Sequence, residues 1–209
     1  MKIIAISDTH NHHELLQLPA GDMLIHAGDI SSRGTIEEVR VFLDWFARQD
    51  FKYKIFIPGN HDFFFERMPP AVERDLIPDD LIYLNDNGVE IEGINIWGSP
   101  IQPWFYDWAF QRQRGAEIDR HWQMIPEKTD ILIAHGPAYG ILDKTIRGEC
   151  VGCEDLLNRI EKVKPKYFIS GHIHEAYGVE QHGATTFINA SVLDVKYKLV
   201  NVPVVFEMT

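Results

Sequence analysis

The sequence predicts an α/β fold in which a central pair of mixed sheets carries helices on its outer faces. One observation behind this prediction is the order strand–helix–strand near the N-terminus, formed by residues 22–27, 35–50 and 53–57. The other is the antiparallel hairpin that residues 179–181 and 185–188 predict near the C-terminus. Parallel and antiparallel pairing in one chain indicates mixed sheets, and amphipathic helices bury their apolar faces against such sheets.

Apolar patterning predicts the N-terminal elements. Residues 2–7 are isoleucine-rich and alternate little, as expected of a strand buried on both faces, and residues 22–27 have the same character. Apolar side chains recur at helical spacing over residues 35–50, with Thr35 as N-cap before two glutamates. Residues 53–57 form the next strand, which a Pro-Gly pair ends.

The later elements are shorter. Residues 90–97 predict two short strands, one on each side of a Glu-Gly pair. The remaining predicted strands are 130–134, 166–170, 179–181, 185–188 and 202–206, and the predicted helix is 152–163. Residues 98–115 are the longest irregular stretch and contain several aromatic side chains, among them Trp104, Phe105 and Tyr106. A loop this long and this aromatic is either a packed lid or one wall of a substrate site.

Composition narrows the class of protein. A chain of 209 residues suits a single domain over residues 1–209. The net charge of −11 argues against long nucleic acid as a partner but leaves a small phosphate ester open. No apolar run approaches the ~20 residues of a membrane span, and the N-terminal run is too short for a signal peptide. We therefore expect a cytoplasmic protein without a membrane partner.

Five short polar segments carry the chemistry. They are Asp8-Thr9-His10, Gly28-Asp29, Gly59-Asn60-His61-Asp62, His135-Gly136-Pro137 and Gly171-His172-Ile173-His174. Nearly every segment follows a predicted strand, and ligands in open α/β sheets bind at the carboxyl ends of strands. The segments together predict seven metal ligands, which are Asp8, His10, Asp29, Asn60, His135, His172 and His174.

These ligand types predict a two-metal phosphoesterase site. Two cations ~3.5–4 Å apart bind a phosphoryl group and generate a nucleophilic hydroxide, and that spacing needs a bridging carboxylate, for which Asp29 is the candidate. The mixture of imidazole and carboxylate suits Mn, Fe, Zn or Ni better than Ca or Mg. His61 directly follows a ligand, so its imidazole could protonate the leaving group and stabilise the phosphoryl oxygens.

The five segments, together with Gly98-Ser99-Pro100 and Trp108-Ala109-Phe110, resemble the calcineurin-like metallophosphoesterase superfamily. The resemblance is closest to the branch of metallophosphoesterase-domain-containing brain proteins and their bacterial relatives, and it covers almost the whole chain. It implies a four-layer α/β/β/α sandwich and phosphodiesterase activity, including activity on cyclic nucleotides.

The resemblance also implies residue roles. One metal would be held by Asp8, His10, Asp29 and His174. The other would be held by Asp29, Asn60, His135 and His172. His61 would be the catalytic histidine and, with Asn60, would contact the phosphoryl group.

One position departs from the family pattern. Many members carry an acid or a histidine three residues after the bridging Asp, near the catalytic histidine, and this chain has Ser32 there. The group that orients His61 is therefore either Asp62 or a backbone carbonyl. The resemblance places Arg114 near the site as a structural or substrate contact, and Trp104 and Phe105 are candidates for stacking on a substrate base.

Three functions remain open on the sequence. The first is hydrolysis of small phosphodiesters, the second is a phosphomonoesterase acting on nucleotides or sugar phosphates, and the third is a non-catalytic interaction scaffold. Loss of metal ligands would mark a scaffold, and none is missing here. One bimetallic core can serve both enzymes, so paired model substrates are needed to separate them.

Overall fold

The computed structural model describes residues 1–208, with positions 70, 73 and 74 described by their backbone alone. The strands are β1 (Lys2–Ile6), β2 (Met23–Ala27), β3 (Tyr53–Ile57), β4 (Leu81–Tyr83), β5 (Asn87–Ile91), β6 (Ile94–Ser99), β7 (Gln102–Pro103), β8 (Gln111–Arg112), β9 (Ile131–Ala134), β10 (Tyr167–Ser170), β11 (Gly178–His182), β12 (Thr185–Asn189) and β13 (Val204–Glu207). The helices are α1 (Ile36–Ala47), α2 (Phe63–Arg67), α3 (Pro70–Leu76), α4 (Ala116–Trp122) and α5 (Glu154–Val163). Within the described residues, no helix has the length and apolarity needed to cross a membrane.

Two mixed sheets form the centre of the fold. One has the strand order β13-β1-β2-β3-β4 and the other has the order β11-β12-β10-β9-β6-β5. The inner strands of each sheet run parallel, whereas β13, β11 and β5 pair antiparallel at the edges. The prediction of mixed sheets is therefore confirmed.

The alternation of side chains along the strands produces four layers. Ile3 and Ile25 of the first sheet pack in one buried cluster with Ile133 of the second, which fills the space between the sheets. The neighbouring residues, such as Ile4, point to the opposite face, where they pack in a cluster with Phe42 of α1. Because strand residues alternate between faces, each sheet buries both sides, one against the other sheet and one against helices. This is the predicted α/β/β/α sandwich.

The longer elements lie where the sequence predicts them, with shifted ends. Helix α1 begins as predicted, because Thr35 and Glu38 form a reciprocal capping box, but it ends at Ala47 instead of residue 50. The prediction that residues 98–115 are irregular is wrong in part, because β6 extends to Ser99 and β7 pairs with β8 in a parallel ribbon. Strands of two residues are too short to show a period of two in the sequence.

Several short elements were not predicted at all. They are β4, α2, α3 and α4. A helix of five to seven residues completes two turns at most, so its apolar positions do not establish a period of 3.6. The structure places β4 at the edge of the first sheet, and Phe65 of α2 and Trp122 of α4 pack in the buried core.

A buried histidine next to α1 makes the fold sensitive to acid. The His13 ring is fully buried between Trp45 and Phe42, with ring centroids 4.9 and 5.7 Å away. Neither of its nitrogens has a hydrogen-bond partner among the described residues. Burial, with smaller contributions from His12 and Arg48, lowers its pKa from 6.5 to about 4.

We expect this histidine to reduce stability as the pH falls. The unfolded chain binds a proton at His13 below about pH 6.5, whereas the folded chain resists protonation down to about pH 4. The contribution is therefore present above pH 6.5 and is lost between pH 6.5 and 4, by about 3 kcal/mol. The variant His13→Phe should flatten the dependence of the unfolding free energy on pH in that window. Parallel curves for the two proteins, measured by urea titration with chelator present, would contradict this assignment.

Candidate metal centre

The five polar segments meet at one edge of the two sheets. Asp8 follows β1, Asp29 follows β2 and Asn60 follows β3 in the first sheet, and His135 follows β9 and His172 follows β10 in the second. Parallel strands bring their carboxyl ends to the same edge, so residues far apart in sequence become neighbours.

Several residues of this edge have an unusual backbone conformation. Asp8, His10, Asp29 and His172 have φ angles of 56°, 39°, 56° and 67°. A positive φ is uncommon outside glycine, and such strain concentrates at functional sites. The backbone therefore turns sharply just after the strands and directs these side chains into one space.

Two glycines allow this close approach. A Cβ atom at Gly59 would collide with the backbone and carboxylate of Asp29, and one at Gly171 would collide with Ser7 and the carboxylate of Asp8. The glycine before Asn60 thus leaves room for a carboxylate from the neighbouring strand, and the glycine before His172 leaves room for a carboxylate from the other sheet.

Imidazoles surround the two carboxylates at distances longer than ordinary hydrogen bonds. The Asp29 Oδ2 atom lies 3.5 Å from His10 Nε2 and 3.4 Å from His135 Nε2. The Asp8 Oδ1 atom lies 3.4 Å from His174 Nε2 and 4.0 Å from His135 Nε2. N–H···O hydrogen bonds cluster at about 2.9–3.0 Å, so these groups converge on a space between them.

The opposite nitrogen of each of these imidazoles faces a backbone carbonyl. The Nδ1 atoms of His10, His135 and His174 lie 3.1, 2.9 and 3.0 Å from the carbonyl oxygens of Ser31, Ala27 and Asp194. A proton on Nδ1 leaves the lone pair of Nε2 free, which is the arrangement usual for metal-ligating histidines.

The donor set fits divalent metal ions. His10 Nε2 is buried and has no hydrogen-bond partner among the residues described. Three groups place their ligand atoms within 4.8 Å of one another, which are Asp8 with His10 and His174, Asp29 with His135 and His172, and Asp29 with His10 and His61. The Asn60 Oδ1 atom lies 3.1 Å from His135 Nε2, so the seven predicted ligands lie together.

The charges of the site favour ionised carboxylates. Burial opposes ionisation of Asp8, but His174, His135 and His10 outweigh burial and hold its pKa well below the usual value. Burial likewise disfavours charge on His135 and His174, but the carboxylates of Asp29 and Asp8 raise the pKa of each to about 9. Burial lowers the pKa of His172 to about 3. Without metal, the carboxylates are thus compensated by protons, which bound cations would replace.

The carbonyl of Ser32 orients His61. Its oxygen lies 2.8 Å from His61 Nδ1, and the backbone N–H of His61 donates to Asp29 Oδ1 at 2.8 Å. The Trp108 ring packs on the imidazole with centroids 4.4 Å apart. Of the two alternatives that the sequence left open, the structure therefore has the backbone carbonyl.

The Asp62 carboxylate does not contact the His61 ring and instead connects two loops of the site. It accepts hydrogen bonds from the backbone N–H groups of Gly59, Ile30 and Ser31 and from the Ser31 hydroxyl. Burial and the nearby Asp29 raise its pKa to about 6. The residue thereby joins the loop after β2 to the loop after β3, and both loops carry predicted ligands.

The predicted substrate residues lie beside the cluster in different ways. Phe105 packs on His172 with ring centroids 5.3 Å apart. Trp104 is half exposed and lines an adjacent cavity, and Arg114 lines the same cavity while donating to the carbonyls of Val151 and Gly152. Tyr106 is 70% exposed, does not line the metal cleft and packs edge-on against Phe105.

The sequence did not predict the contacts that two aromatic side chains make with the cluster. Trp108 packs on His61, and Tyr197 contacts the rings of His10 and His174 at 4.9 and 5.5 Å. Tyr197 has a φ of 58°, a strained conformation that no sequence pattern indicates. Trp108 lies in the aromatic stretch and in the Trp108-Ala109-Phe110 segment of the family pattern, but neither signal places it against His61.

Two mixed sheets between helices, with a histidine–carboxylate cluster at their strand ends, define a metallophosphoesterase. The family model described as calcineurin-like phosphoesterase matches residues 1–176, and the chain belongs to this family.

Individual proteins show the same relationship. The human Metallophosphoesterase domain-containing protein 1 is 40% identical over 99% of this chain and 71% of its own length. A probable glycerophosphodiester phosphodiesterase of Arcobacter nitrofigilis is 27% identical over 75% of this chain and 58% of its own length. One solved structure, 18% identical, superposes with a TM-score of 0.65 over 90% of this chain and 89% of its own, a likeness of fold.

Proposed function

We propose that this protein hydrolyses small phosphodiesters with two divalent transition-metal ions. The observation that carries the proposal is the position of Asp29, whose Oδ2 atom lies 3.5 Å from His10 Nε2 and 3.4 Å from His135 Nε2. One ion would be held by Asp8, His10, Asp29 and His174, and the other by Asp29, Asn60, His135 and His172. When bound, Mn, Fe, Zn or Ni ions would neutralise phosphoryl oxygens and lower the pKa of a water molecule.

The side chain proposed for proton transfer is His61. It borders the same cleft as His10, Asp29 and Asn60. The Ser32 carbonyl holds Nδ1, which leaves Nε2 to face the cleft and to give a proton to the leaving oxygen. Trp108 packs against one face of the ring and limits its rotation.

The surroundings support a diester over a monoester. A diester has a second ester group that needs room, and an aromatic cavity lies directly beside the cluster, with Phe105 and His172 bordering both. The similarity to a probable glycerophosphodiester phosphodiesterase supports the same choice.

Paired chromogenic substrates test the proposal. We expect metal-dependent hydrolysis of bis(p-nitrophenyl) phosphate, with kcat/KM at least about tenfold above that for p-nitrophenyl phosphate. Protein stripped with chelator and then supplied with Mn, Fe, Zn or Ni in turn would identify the active ion. The reverse preference would establish a phosphomonoesterase, and inactivity with every ion would support a scaffold.

A further inference from the structure

A tight turn over residues 192–200 borders the metal cleft, and Tyr197 within this turn lines the cleft. The Asp194 N–H donates to the Lys198 carbonyl at 2.9 Å. The Asp194 carboxylate accepts the backbone N–H groups of Lys196 and Lys198 at 2.8 and 2.9 Å. These hydrogen bonds hold the turn, and none of them involves the side chain of Tyr197.

The backbone of Tyr197 has a φ angle of 58°, which glycine adopts readily and tyrosine rarely does. Such strain persists only where the surrounding structure holds it, and it concentrates at functional sites. The turn alone would be more favourable with glycine at this position. The benefit of a tyrosine therefore lies in what its side chain contacts.

The ring of Tyr197 packs in T-shaped contacts against two predicted metal ligands. Its centroid lies 4.9 Å from that of His10 and 5.5 Å from that of His174, with interplanar angles of 69° and 68°. The two imidazole centroids are 5.4 Å apart, so the three rings contact one another. T-shaped contacts at these distances are favourable, and the tyrosine ring fills space into which either imidazole would otherwise turn.

Each of these imidazoles has one other support. The Nδ1 atom of His10 faces the Ser31 carbonyl, and that of His174 faces the Asp194 carbonyl. A single hydrogen bond lets a ring rock about that contact, whereas a metal ion needs each Nε2 atom at a narrowly defined distance. A second contact that limits the rotation holds both nitrogens ready for the same ion. The Asp194 carbonyl also accepts the Tyr197 N–H at 2.8 Å, so the turn that presents the ring also orients His174.

The contacts of the Tyr197 ring are confined to one of the two proposed ligand sets. His10 and His174 belong to the set that includes Asp8. His135 and His172 of the other set pack on each other, with centroids 5.2 Å apart. Removal of the ring should therefore weaken the binding of one ion and spare the other.

We propose that Tyr197 is a positioning residue that holds the imidazoles of His10 and His174 ready for one metal ion. The inference rests on the proposed function, since it adds a residue to the metal centre of that function. Tyr197 binds no ion itself and acts through the packing of its ring. Its phenol hydroxyl has no part in this role, so phenylalanine can replace it.

Calorimetric titration of metal-free protein with Mn²⁺ tests the proposal. Tyr197→Ala removes the ring, and we expect one ion to bind about tenfold or more weakly while the other stays within about twofold of wild type, since loss of a group that orients metal ligands costs about that much affinity. Tyr197→Phe keeps the ring and should bind both ions like the wild type. In the Asn60→Ala background, where only the ion beside His174 remains, Tyr197→Ala should show the same loss. Equal weakening of both ions would indicate a general loosening of the fold and would contradict the proposal.

Tyr197→Gly separates the effect of the ring from that of the backbone. The alanine and glycine variants both lack the ring, but glycine accepts the φ angle of 58° without strain and alanine does not. The melting temperature of the metal-free protein should therefore be higher for glycine than for alanine, while both variants should bind the affected ion equally weakly. Wild-type affinity in Tyr197→Gly would overturn the proposal. Tyr139→Ala removes a ring of similar exposure, 41% against 46%, outside the lining of the cleft, and should change neither affinity.

The titration needs no turnover, so it separates this inference from the proposed function. If the wild type hydrolyses no phosphodiester with any ion, the proposed function fails, while selective loss of one ion from Tyr197→Ala still supports the positioning role. In an active enzyme, excess Mn²⁺ should restore the turnover of Tyr197→Ala to the wild-type level. A KM that stays raised at saturating Mn²⁺ would assign the ring to substrate binding and overturn the inference. Equal Mn²⁺ affinities in wild type and Tyr197→Ala overturn it even where bis(p-nitrophenyl) phosphate is hydrolysed.

Discussion

Replacing Asp29 with alanine is expected to remove both metal ions, or nearly so, and with them the turnover. The proposed ligand sets share Asp29 alone, and its Oδ2 atom lies within 3.5 Å of one imidazole from each set. Without it, each ion loses a negative ligand, and the two remaining sets of side chains lose the group that sets their separation. Metal content per chain, measured after dialysis against metal-free buffer, should fall from close to two to close to zero.

Two further variants serve as comparisons for the metal content of Asp29→Ala. Asp29→Asn keeps an oxygen acceptor for the His61 N–H, which donates to Asp29 Oδ1 at 2.8 Å, and removes only the charge. It should retain the fold and still lose most of the metal. Asn60→Ala, by contrast, should lose the ion of one site only. Full occupancy of one site in Asp29→Ala would disprove the bridging role.

Replacing His61 with alanine is expected to leave both ions in place and to lower kcat by on the order of 10²-fold or more, as for other general acids. The loss should shrink for esters of p-nitrophenol, whose oxygen needs little protonation, and should grow for esters of alkyl alcohols. We expect His61 to act as the proton donor because its ring borders the cleft while its Nδ1 atom faces the Ser32 carbonyl.

The dependence on the leaving group is the decisive measurement. Equal losses for good and poor leaving groups would mean that His61 stabilises phosphoryl oxygens or holds structure instead of donating a proton. Loss of metal from His61→Ala would instead favour its membership in the group with His10 and Asp29. His182→Ala, at an exposed histidine of the β11–β12 hairpin, serves as the matched control and should change neither quantity.

The layers of this fold could be predicted because the burial of long strands and helices leaves a recognisable pattern of apolar residues in the sequence. Strands β1 and β2 are buried on both faces and are therefore apolar throughout, and the cap of α1 depends on residues three positions apart. Short elements such as α4 and β7 have no period long enough to detect, and their places depend on the residues they pack against. Prediction therefore weakened where elements became shorter.

The ligand types and their approximate convergence also followed from the sequence. Polar residues such as Asp29 and His135 stand at the ends of apolar runs, and parallel strands of one sheet end at the same edge, so each sheet gathers its own polar residues before the packing of the two sheets brings them together. This argument requires local patterns and one rule of topology, without any knowledge of distances.

The tertiary structure alone decided which groups touch. The carbonyl that orients His61 belongs to Ser32, although the serine side chain itself lacks the acid or imidazole that relatives have at this position. Tyr197, close to the C-terminus, contacts His10, close to the N-terminus. Backbone carbonyls leave no trace in a sequence, and contacts across more than a hundred residues depend on the register of two sheets, which local patterns do not encode.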